Sequence, residues 1–498
     1  MFSSIEEKYG YLEFFKETLK SFGGVIDKDK KNYVFRNKTQ NLSENGCYFG
    51  CISEDEADSQ AYSDLSVVVF PSDEKKNTDD RWIVAFALGS LGYNNDSYLG
   101  TEPGTRRLFL DSLEGKSYIK KSFADTKSTS GFSSFCKKYK EDISNSLKRA
   151  YKNYTHLIFA CTIIDPNLKD EARKVIKNYL SIYASLREFP GNADQRKAVK
   201  EARNRIEKDI NEEEEIKNLV EDRYYIVLQG APGTGKTRMA KKVALSKAKS
   251  DNIFFIQFHA ETAFSDFVYG IVPAVKEDTL KYKETEGIFL EAVRRAIDLK
   301  ESKEKVFLII DEINRANLSN VLGQAFYLFE PPKEEIETNS ETKTESKPVE
   351  VKLSPDYSEN PLSIDRLPDN LYVIATMNTA DRSLAVVDFA LRRRFAWYSM
   401  HPHNIKFANN SKWKFCDDEF NSIAEIFYRY ATDEELNLQP GHSYFIVPKD
   451  EKEAAMKNRM KYEIMPLIKE YLLDGMLSRA YDEFSNYFRE YLGEELFR

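Results

Sequence analysis

A glycine-rich run of eight residues, GAPGTGKT from Gly230 to Thr237, carries the clearest chemistry in the sequence. Its spacing, G-x-x-x-x-G-K-T, is the pattern of a loop that binds phosphate. Glycines let backbone N–H groups turn inward around an anion, because no Cβ blocks the approach. A helix beginning near Lys236 adds its N-terminal dipole, while Lys236 can reach the β- and γ-phosphates and the Thr237 hydroxyl can ligate Mg²⁺. The expected nucleotide-binding residues of this loop are Gly230, Pro232, Gly233, Thr234, Gly235, Lys236 and Thr237.

Two further segments supply groups suited to phosphate hydrolysis. VFLIIDEINRAN (306–317) ends an apolar run with two acids. Asp311 can hold Mg²⁺ through water, and Glu312 can polarise an attacking water molecule. ATMNTADRS (375–383) ends another apolar run, and its Asn378 can hydrogen-bond the γ-phosphate or that water. Together the three segments predict a site that hydrolyses a nucleoside triphosphate with Mg²⁺.

Apolar runs of strand length must position these residues. In the second half of the chain they alternate with helical patterns, which is typical of a parallel sheet with helices on both faces; they are YYIVLQ (224–229), NIFFIQF (252–258), KVFLIID (305–311), LYVIATM (371–377) and FAWYSM (395–400). Three earlier runs also predict strands: DLSVVVF (64–70), RWIVAFAL (81–88), where Trp82 is expected in the core, and HLIFACTII (156–164). Between 331 and 350 the chain is polar and rich in Glu, Thr and Lys, and we expect a mobile insertion.

These patterns divide the chain of 498 residues into four parts. We predict an N-terminal α+β domain over 1–163, a helical linker over 164–219, an α/β P-loop core over 220–400 and a helical region over 401–498.

Composition excludes several classes of protein. The chain has 73 basic and 81 acidic residues, so its net charge of −8 excludes a polycation that coats nucleic acid, and any such contact must come from a local basic face. The five cysteines are odd in number and scattered, which favours a reducing compartment. No apolar run approaches the roughly 20 residues that span a bilayer, and the acidic N-terminus is not a signal peptide. We therefore expect a cytoplasmic protein with no membrane partner.

Taken together, the motifs resemble those of the McrB-type AAA+ NTPases, the motor subunits of modification-dependent restriction systems. The resemblance lies in GAPGTGKT, IDEINRANLSNVLGQAFYLFE (310–330) and MNTADRSLAVVDFALRRRF (377–395), with weaker support from GHSYF (441–445), and it covers about 220 to 475. It implies an αβα AAA+ core with a C-terminal helical lid, a hexameric ring with nucleotide bound between subunits, a McrC-like nuclease partner, and GTP in preference to ATP.

The resemblance also carries roles to individual residues. Asp311 and Glu312 match the acidic pair of the family, and Asn378, Asp381 and Arg382 match its signature. Arg394, with Arg393 as second choice, is expected to reach the γ-phosphate bound by the neighbouring subunit, although a basic surface turn also explains three consecutive arginines. His442 is assigned to the lid, where a simple packing role is equally consistent with the sequence.

The N-terminal 160 residues do not match the methylcytosine-reading domain of that family. YIKKSFADTKSTSGFSSFCKKYK (118–140) nevertheless interleaves Lys120, Lys121, Lys127, Lys137, Lys138 and Lys140 with Phe123, Phe132, Phe135 and Tyr139. Lysines can contact phosphates while rings stack on bases, so the segment is a candidate DNA-binding face; an amphipathic surface with buried Phe explains it equally well. For the whole chain, the alternative to a restriction motor is a MoxR- or dynein-related AAA+ ATPase that remodels a protein partner.

Overall fold

The apolar runs predicted as strands all form strands in the structure, which is a computed structural model of the chain. It describes residues 10–27, 29–39, 47–56, 60–72, 81–93, 99–140, 142–143, 154–203, 211–276, 279–329, 350–356, 358, 360–380 and 389–497. The chain divides into two compact units: Met1–Lys208 with Tyr428–Thr432, and Asp209–Phe427 with Asp433–Arg498.

The first unit contains a six-stranded sheet in the order β1-β2-β3-β4-β6-β5, and every neighbouring pair is antiparallel. Its strands are β1 (Val34–Lys38), β2 (Tyr48–Ile52), β3 (Leu65–Phe70), β4 (Trp82–Leu88), β5 (Ser117–Ile119) and β6 (Ile158–Ile164). Its helices are α1 (Tyr11–Ser21), α2 (Pro103–Leu110), α3 (Ser130–Lys138), α4 (Lys169–Leu186) and α5 (Ala193–Ala202). The α+β fold class predicted for the N-terminal region is confirmed, while the bounds 1–163 predicted for that domain stay a prediction.

Both faces of this sheet are covered, which explains the unbroken apolar sequence of β3 and β4. On one face α1 and α4 pack against Trp82, which is fully buried and donates its indole N–H to the Ser72 carbonyl at 3.1 Å. On the other face α3 packs through Phe132 and Phe135. The expectation that Trp82 belongs to the core is therefore confirmed.

The segment predicted as a helical linker over 164–219 is divided between the two units. Helix α4 packs into the core of the first unit through Ile176, Tyr179 and Tyr183, and its second half is buried on every side. Helix α6 (Glu212–Arg223) instead packs against the second unit's sheet through Ile216 and Val220. The amphipathic pattern identified helices here, but α4 is an integral layer of the first unit rather than a spacer.

The second unit is built on a parallel five-stranded sheet in the order β15-β7-β14-β11-β8. Its strands are β7 (Tyr225–Gly230), β8 (Ile253–Gln257), β11 (Val306–Asp311), β14 (Leu371–Asn378) and β15 (Ala396–Ser399). The helices between them are α7 (Lys236–Lys247), α8 (Phe264–Phe267), α9 (Ile288–Asp298), α10 (Leu318–Leu322) and α11 (Phe389–Arg394). The predicted αβα core is confirmed.

Smaller elements complete this unit. A long hairpin, β9 (Tyr269–Lys276) with β10 (Thr279–Glu286), precedes α9 and was not predicted; β12 (Val351–Lys352) pairs with β13 (Ser363–Ile364), and β16 (Trp413–Phe415) with β17 (Ile446–Pro448). The C-terminal part is helical, as predicted for a lid, with α12 (Asp417–Tyr430), α13 (Lys452–Arg459), α14 (Met465–Leu473) and α15 (Tyr481–Leu492).

Two negative findings concern the described part of the chain. No helix there is both long enough and apolar enough to cross a membrane. All five cysteines are described, and each is a free thiol. The predicted insertion at 331–350 lies outside the described residues except for Glu350.

Candidate functional site

The glycine-rich loop connects the end of β7 to the start of α7, the arrangement that a phosphate loop requires. Gly233 and Gly235 have φ values of 80° and 81°, and Gly235 caps the N-terminus of α7. Glycine adopts this left-handed backbone without the penalty of a side chain. The first free N–H groups of α7 therefore lie where the loop ends, as an anion site needs.

Lys236 is held against the loop that precedes it. Its side chain is buried, and its Nζ donates to the carbonyl oxygens of Gly230 at 3.0 Å and Ala231 at 2.9 Å. The buried Thr234 closes the loop by donating its hydroxyl to the same Ala231 oxygen at 2.9 Å. These bonds hold the Lys236 ammonium group against the loop, and together the two form a cationic site, here called the anion cradle.

Asp311 joins the loop helix to the sheet. One oxygen of its buried carboxylate, Oδ1, accepts two hydroxyl groups: Thr237 at 2.6 Å from the start of α7, and Thr376 at 2.6 Å from β14. The two bonds therefore link three elements, α7, β11 and β14, and β14 is the strand that lies between β7 and β11 in the sheet. The acid predicted at the tip of β11 is therefore beside the hydroxyl predicted to share its metal ion.

Glu312 follows in an unusual backbone conformation, with φ 55° and ψ 47°. A non-glycine residue in this left-handed region costs about 1 kcal/mol, so other contacts must hold it. Its N–H donates to the Thr376 hydroxyl at 3.1 Å. Its carboxylate accepts from the Asn378 amide and, at 3.4 Å, from the Arg315 guanidinium. Thus Glu312 and Asn378, predicted from separate motifs, are direct partners.

Thr376 is the residue at this site that the sequence analysis missed. It is buried, donates to Asp311 and accepts from the Glu312 backbone, so one hydroxyl orients both acids. The signal was present in the sequence: in LYVIATMN, Thr376 is a polar residue inside a fully buried strand. A buried hydroxyl must find partners, and here the partners are the site itself.

The lid segment from Gly441 to Ser443 lies directly on the glycine-rich loop. Gly441 donates its N–H to the Pro232 carbonyl at 2.9 Å, and Ser443 donates to Gly233 at 3.0 Å. A Cβ at Gly441 would lie 2.0 Å from the Gly233 carbonyl carbon, which no side chain can occupy. Glycine is therefore required at 441 because two backbones touch there.

His442 packs over the same loop, next to Gly235. It is 8% exposed, and its ring centroid lies 4.8 Å from that of His403. Burial, followed by the neighbouring His403 and Arg238, lowers the pKa of His442 from 6.5 to about 4. The ring is therefore neutral at physiological pH.

The three consecutive arginines of α11 differ in their surroundings. Arg394 is half-buried, and its guanidinium lies 4.3 Å from the centroid of the Phe326 ring. Arg392 and Arg393 are both exposed, although the Arg392 guanidinium lies 5.1 Å from the centroid of the Trp397 ring. Of the three, Arg394 is the side chain that is partly buried.

The remaining predicted residues fall into two groups. Asp381 and Arg382 lie outside the described residues. In the N-terminal segment, Phe123, Phe132 and Phe135 are buried in the cores of the first unit, so their prediction as base-stacking rings was wrong.

The side chain of Lys120 in that segment is also not available at the surface. It is buried, burial lowers its pKa, and its Nζ donates to the His156 carbonyl at 2.7 Å. Phe132 and Phe135 lie on one buried face of α3, whereas Phe123 precedes that helix and is buried in the core that contains Trp82. The other basic side chains of the segment are exposed: Lys121, Lys127, Lys137, Lys138 and Lys140.

The donor set suits Mg²⁺ bound together with a nucleotide. Thr237 and Asp311 offer hard oxygen ligands 2.6 Å apart, and this ion takes few protein ligands when phosphates supply the others. Within the described ranges, no group of three or more His, Cys, Asp or Glu side chains is arranged to hold a metal ion.

Comparisons with known proteins agree with this geometry. A family model described as "AAA domain (dynein-related subfamily)" matches residues 225–395. The chain is 33% identical over 267 residues to the "Type IV methyl-directed restriction enzyme EcoKMcrB subunit" of Escherichia coli (strain K12), covering 50% of this chain and 54% of that protein. It is 28% identical over 221 residues to the "Type II restriction enzyme BsuMI component YdiS" of Bacillus subtilis (strain 168), covering 38% of this chain and 60% of that protein.

The chain therefore spans little more than half the length of these curated relatives. Among solved structures, a putative ATPase from Cytophaga hutchinsonii aligns over 53% of this chain and 63% of its own, with 14% identity and a TM-score of 0.24, too low to support an argument. Fold, site and family model define a nucleotide-hydrolysing AAA domain. Within that class the chain is similar to the McrB subunit over half of its length, in agreement with the resemblance that its motifs carried.

Acidification is expected to destabilise the second unit, because folding keeps His442 neutral. Between its unfolded pKa of 6.5 and its folded pKa of about 4, only the unfolded chain takes up the proton. Stability is thus complete above the unfolded value and falls as pH drops toward the folded one, by on the order of 3 kcal/mol. Urea unfolding at about pH 7, 5.5 and 4.5 should show a smaller loss for His442→Gln than for the parent; equal losses would contradict this origin.

Replacing Thr376 by Val should slow hydrolysis more than it weakens nucleotide binding. The variant keeps the side-chain shape but removes the hydroxyl that orients Asp311 and Glu312. We expect kcat to fall about tenfold or more with a smaller change in KM. Thr376→Ser, which retains the hydroxyl, is the matched control and should recover most of the rate. A Val variant as fast as the parent would show that this hydroxyl orients nothing of importance.

Proposed function

We propose that the protein is the nucleotide-hydrolysing ring subunit of a McrBC-like restriction or anti-phage system, with GTP as its preferred nucleotide and ATP as the alternative. The observation that carries this proposal is the hydrogen-bonded set Thr237–Asp311–Thr376–Glu312–Asn378 at one end of a parallel sheet, directly beside a phosphate loop. Both curated relatives are named as components of restriction enzymes, which supports the biological setting.

Each group at the site has a defined task in this proposal. Lys236 and the loop N–H groups bind the phosphates, while Thr237 and Asp311 hold Mg²⁺, which offsets phosphate charge when bound. Glu312 accepts a proton from the attacking water, so it must leave its contact with Asn378 or share it. Asn378 then orients that water or the γ-phosphate. Asp381 and Arg382 remain assigned to the nucleotide-binding segment by resemblance alone.

An arginine of a neighbouring subunit completes the site in a hexameric ring. A cation supplied across a subunit boundary stabilises the charge of the transition state. We now place Arg393 ahead of Arg394, because Arg393 is exposed whereas the Arg394 guanidinium packs on Phe326. Hydrolysis then depends on assembly, as a ring motor requires.

Cutting of DNA is assigned to a separate McrC-like nuclease. Within the described ranges no acidic or histidine cluster is arranged to hold the metal ions of a nuclease. Target recognition is assigned to the first unit, through exposed lysines such as Lys121, Lys137 and Lys138 rather than through buried rings.

The alternative is an AAA+ ATPase that remodels a protein. The description of the matching family model, a dynein-related subfamily, supports this possibility for the core alone. Identity to the McrB subunit over half the chain favours the restriction system.

A hydrolysis assay with GTP and ATP side by side distinguishes the two functions. We expect faster turnover of GTP, and stimulation by DNA together with a McrC-like subunit encoded in the adjacent reading frame. The nuclease partner alone and DNA alone serve as controls. Turnover that neither DNA nor such a subunit changes, or an adjacent locus without any nuclease, would favour the protein remodeller.

Mixed rings test the arginine supplied by a neighbour. Lys236→Ala lacks phosphate binding but keeps its arginines, whereas Arg393→Ala keeps its loop, and each variant alone should be nearly inactive. Random mixing in equal amounts places one productive pair at about a quarter of the subunit boundaries, so about that share of the parent rate should return.

Arg394→Ala mixed in the same way is the matched control. If mixing with Lys236→Ala restores hydrolysis to Arg393→Ala but not to Arg394→Ala, the result supports Arg393 as the arginine supplied to the neighbouring subunit. Full activity of both arginine variants alone, or mixtures as inactive as their components although rings form, would overturn hydrolysis between subunits.

A further inference from the structure

The order of the strands indicates which way a triphosphate bound at the loop would point along the edge of the sheet. The groups that serve the γ-phosphate, Asp311, Glu312 and Asn378, follow β11 and β14, which lie on one side of β7. Strand β15 lies on the other side of β7 and runs parallel to it, so its carboxyl end opens at the same edge of the sheet. A triphosphate whose γ-end faces β14 and β11 must therefore carry its nucleoside toward the end of β15.

The residues found on that side are two histidines and a glutamate that the catalytic site does not use. The chain leaves β15 through Met400, whose N–H bonds to Gln229 beside the loop at 2.8 Å, and continues to His401 and His403. The ring of His403 lies 4.8 Å from that of His442, which itself packs on Gly235 of the loop. The two rings are tilted by 54° to each other, and together they form a two-ring surface, here called the platform, that begins at the phosphate loop.

The inner ring of this platform has an unused polar atom. Nδ1 of His442 is shielded from water and has no hydrogen-bond partner among the described residues. A polar atom buried in this way costs free energy until a partner is supplied. A hydroxyl or amine of a ligand that enters beside the ring would supply one.

Glu212, in the first turn of α6, closes the outer end of the platform. Its side chain is 15% exposed, and its Oε2 lies 3.8 Å from Nδ1 of His403. Burial raises the pKa of this carboxyl, while His403 and His401 oppose that shift. Nδ1 of His403 also lies 3.1 Å from the His401 carbonyl oxygen, so its hydrogen-bond contact is to the backbone and the Glu212 carboxylate is not occupied by it. A carboxylate has about four lone-pair positions, so Glu212 can accept further donors.

We propose that His442, His403 and Glu212 form the nucleoside subsite, in which a purine stacks on the His403 imidazole and the Glu212 carboxylate selects guanine. Guanine presents two adjacent donors, N1–H and the N2 amino group, to an acceptor that can take both. Adenine presents its unprotonated N1 at that edge, which a carboxylate repels. Stacking on the imidazole serves either base, so the choice between GTP and ATP rests on Glu212. This inference rests on the proposed function, because it names the base of the nucleotide hydrolysed at that site.

Binding of GDP and ADP to the full chain tests the proposal without interference from hydrolysis. Titration calorimetry of the parent should give tighter binding of GDP. Glu212→Gln should weaken GDP at least about tenfold and leave ADP unchanged or tighter, since a donor amide replaces an acceptor. Glu214→Gln, an exposed neighbour on the same turn, should change neither. His403→Ala should weaken both nucleotides by a similar factor, because stacking is tolerant of base identity.

The outcomes separate this inference from the function on which it rests. A parent that binds neither nucleotide contradicts the proposed function itself. A parent that prefers ADP, or Glu212→Gln with the parent's ratio of GDP to ADP affinity and an unchanged unfolding midpoint, overturns guanine selection alone. If Glu212→Gln fails to fold, Glu212→Asp tests the same point: it keeps the charge but withdraws it from the base, so the preference for GDP should fall, and an unchanged ratio overturns the proposal.

Discussion

One carboxylate oxygen holds the nucleotide site together. Oδ1 of Asp311 accepts a hydroxyl from Thr237 on the loop helix and another from Thr376 on the central strand. The loop, the acid and the neighbouring strand are thereby fixed relative to one another before a ligand arrives. The Thr376 hydroxyl also accepts a hydrogen bond from the N–H of Glu312, so the left-handed backbone of Glu312 is held in place as well. Positioning of this kind supplies much of the catalysis in phosphoryl transfer, because the protein contributes little covalent chemistry.

Eight strands, namely β3, β4 and β6 of the first unit and all five of the parallel sheet, could be predicted because each is a short, nearly continuous apolar run. Strands β1, β2 and β5 were not predicted. The hairpin from Tyr269 to Glu286 was missed because β10, TLKYKETE, alternates apolar with charged residues and has little apolar content. The assignment of 164–219 as a linker failed for another reason. Periodicity shows that a helix such as α4 has an apolar face to bury, but it does not show which part of the protein that face packs against.

At the site, local motifs identified the loop and the acids, because their chemistry demands particular residues at particular spacings. Contacts between distant segments were beyond such reasoning. Nothing in GHSYF indicates that Gly441 touches Gly233, and RRR does not show which arginine packs on Phe326. The lysine and phenylalanine pattern at 118–140 was ambiguous for the same reason, since a buried helix face and a base-stacking face share one periodicity.

The two backbone bonds from Gly441 and Ser443 to the loop have a mechanical consequence. Their acceptors, the carbonyls of Pro232 and Gly233, belong to the peptide units whose orientation sets where the loop's own N–H groups point. A rigid lid that tilts must either break these bonds or rotate those peptides with it. The orientation of the loop N–H groups is therefore coupled to the position of the lid helices through backbone hydrogen bonds alone.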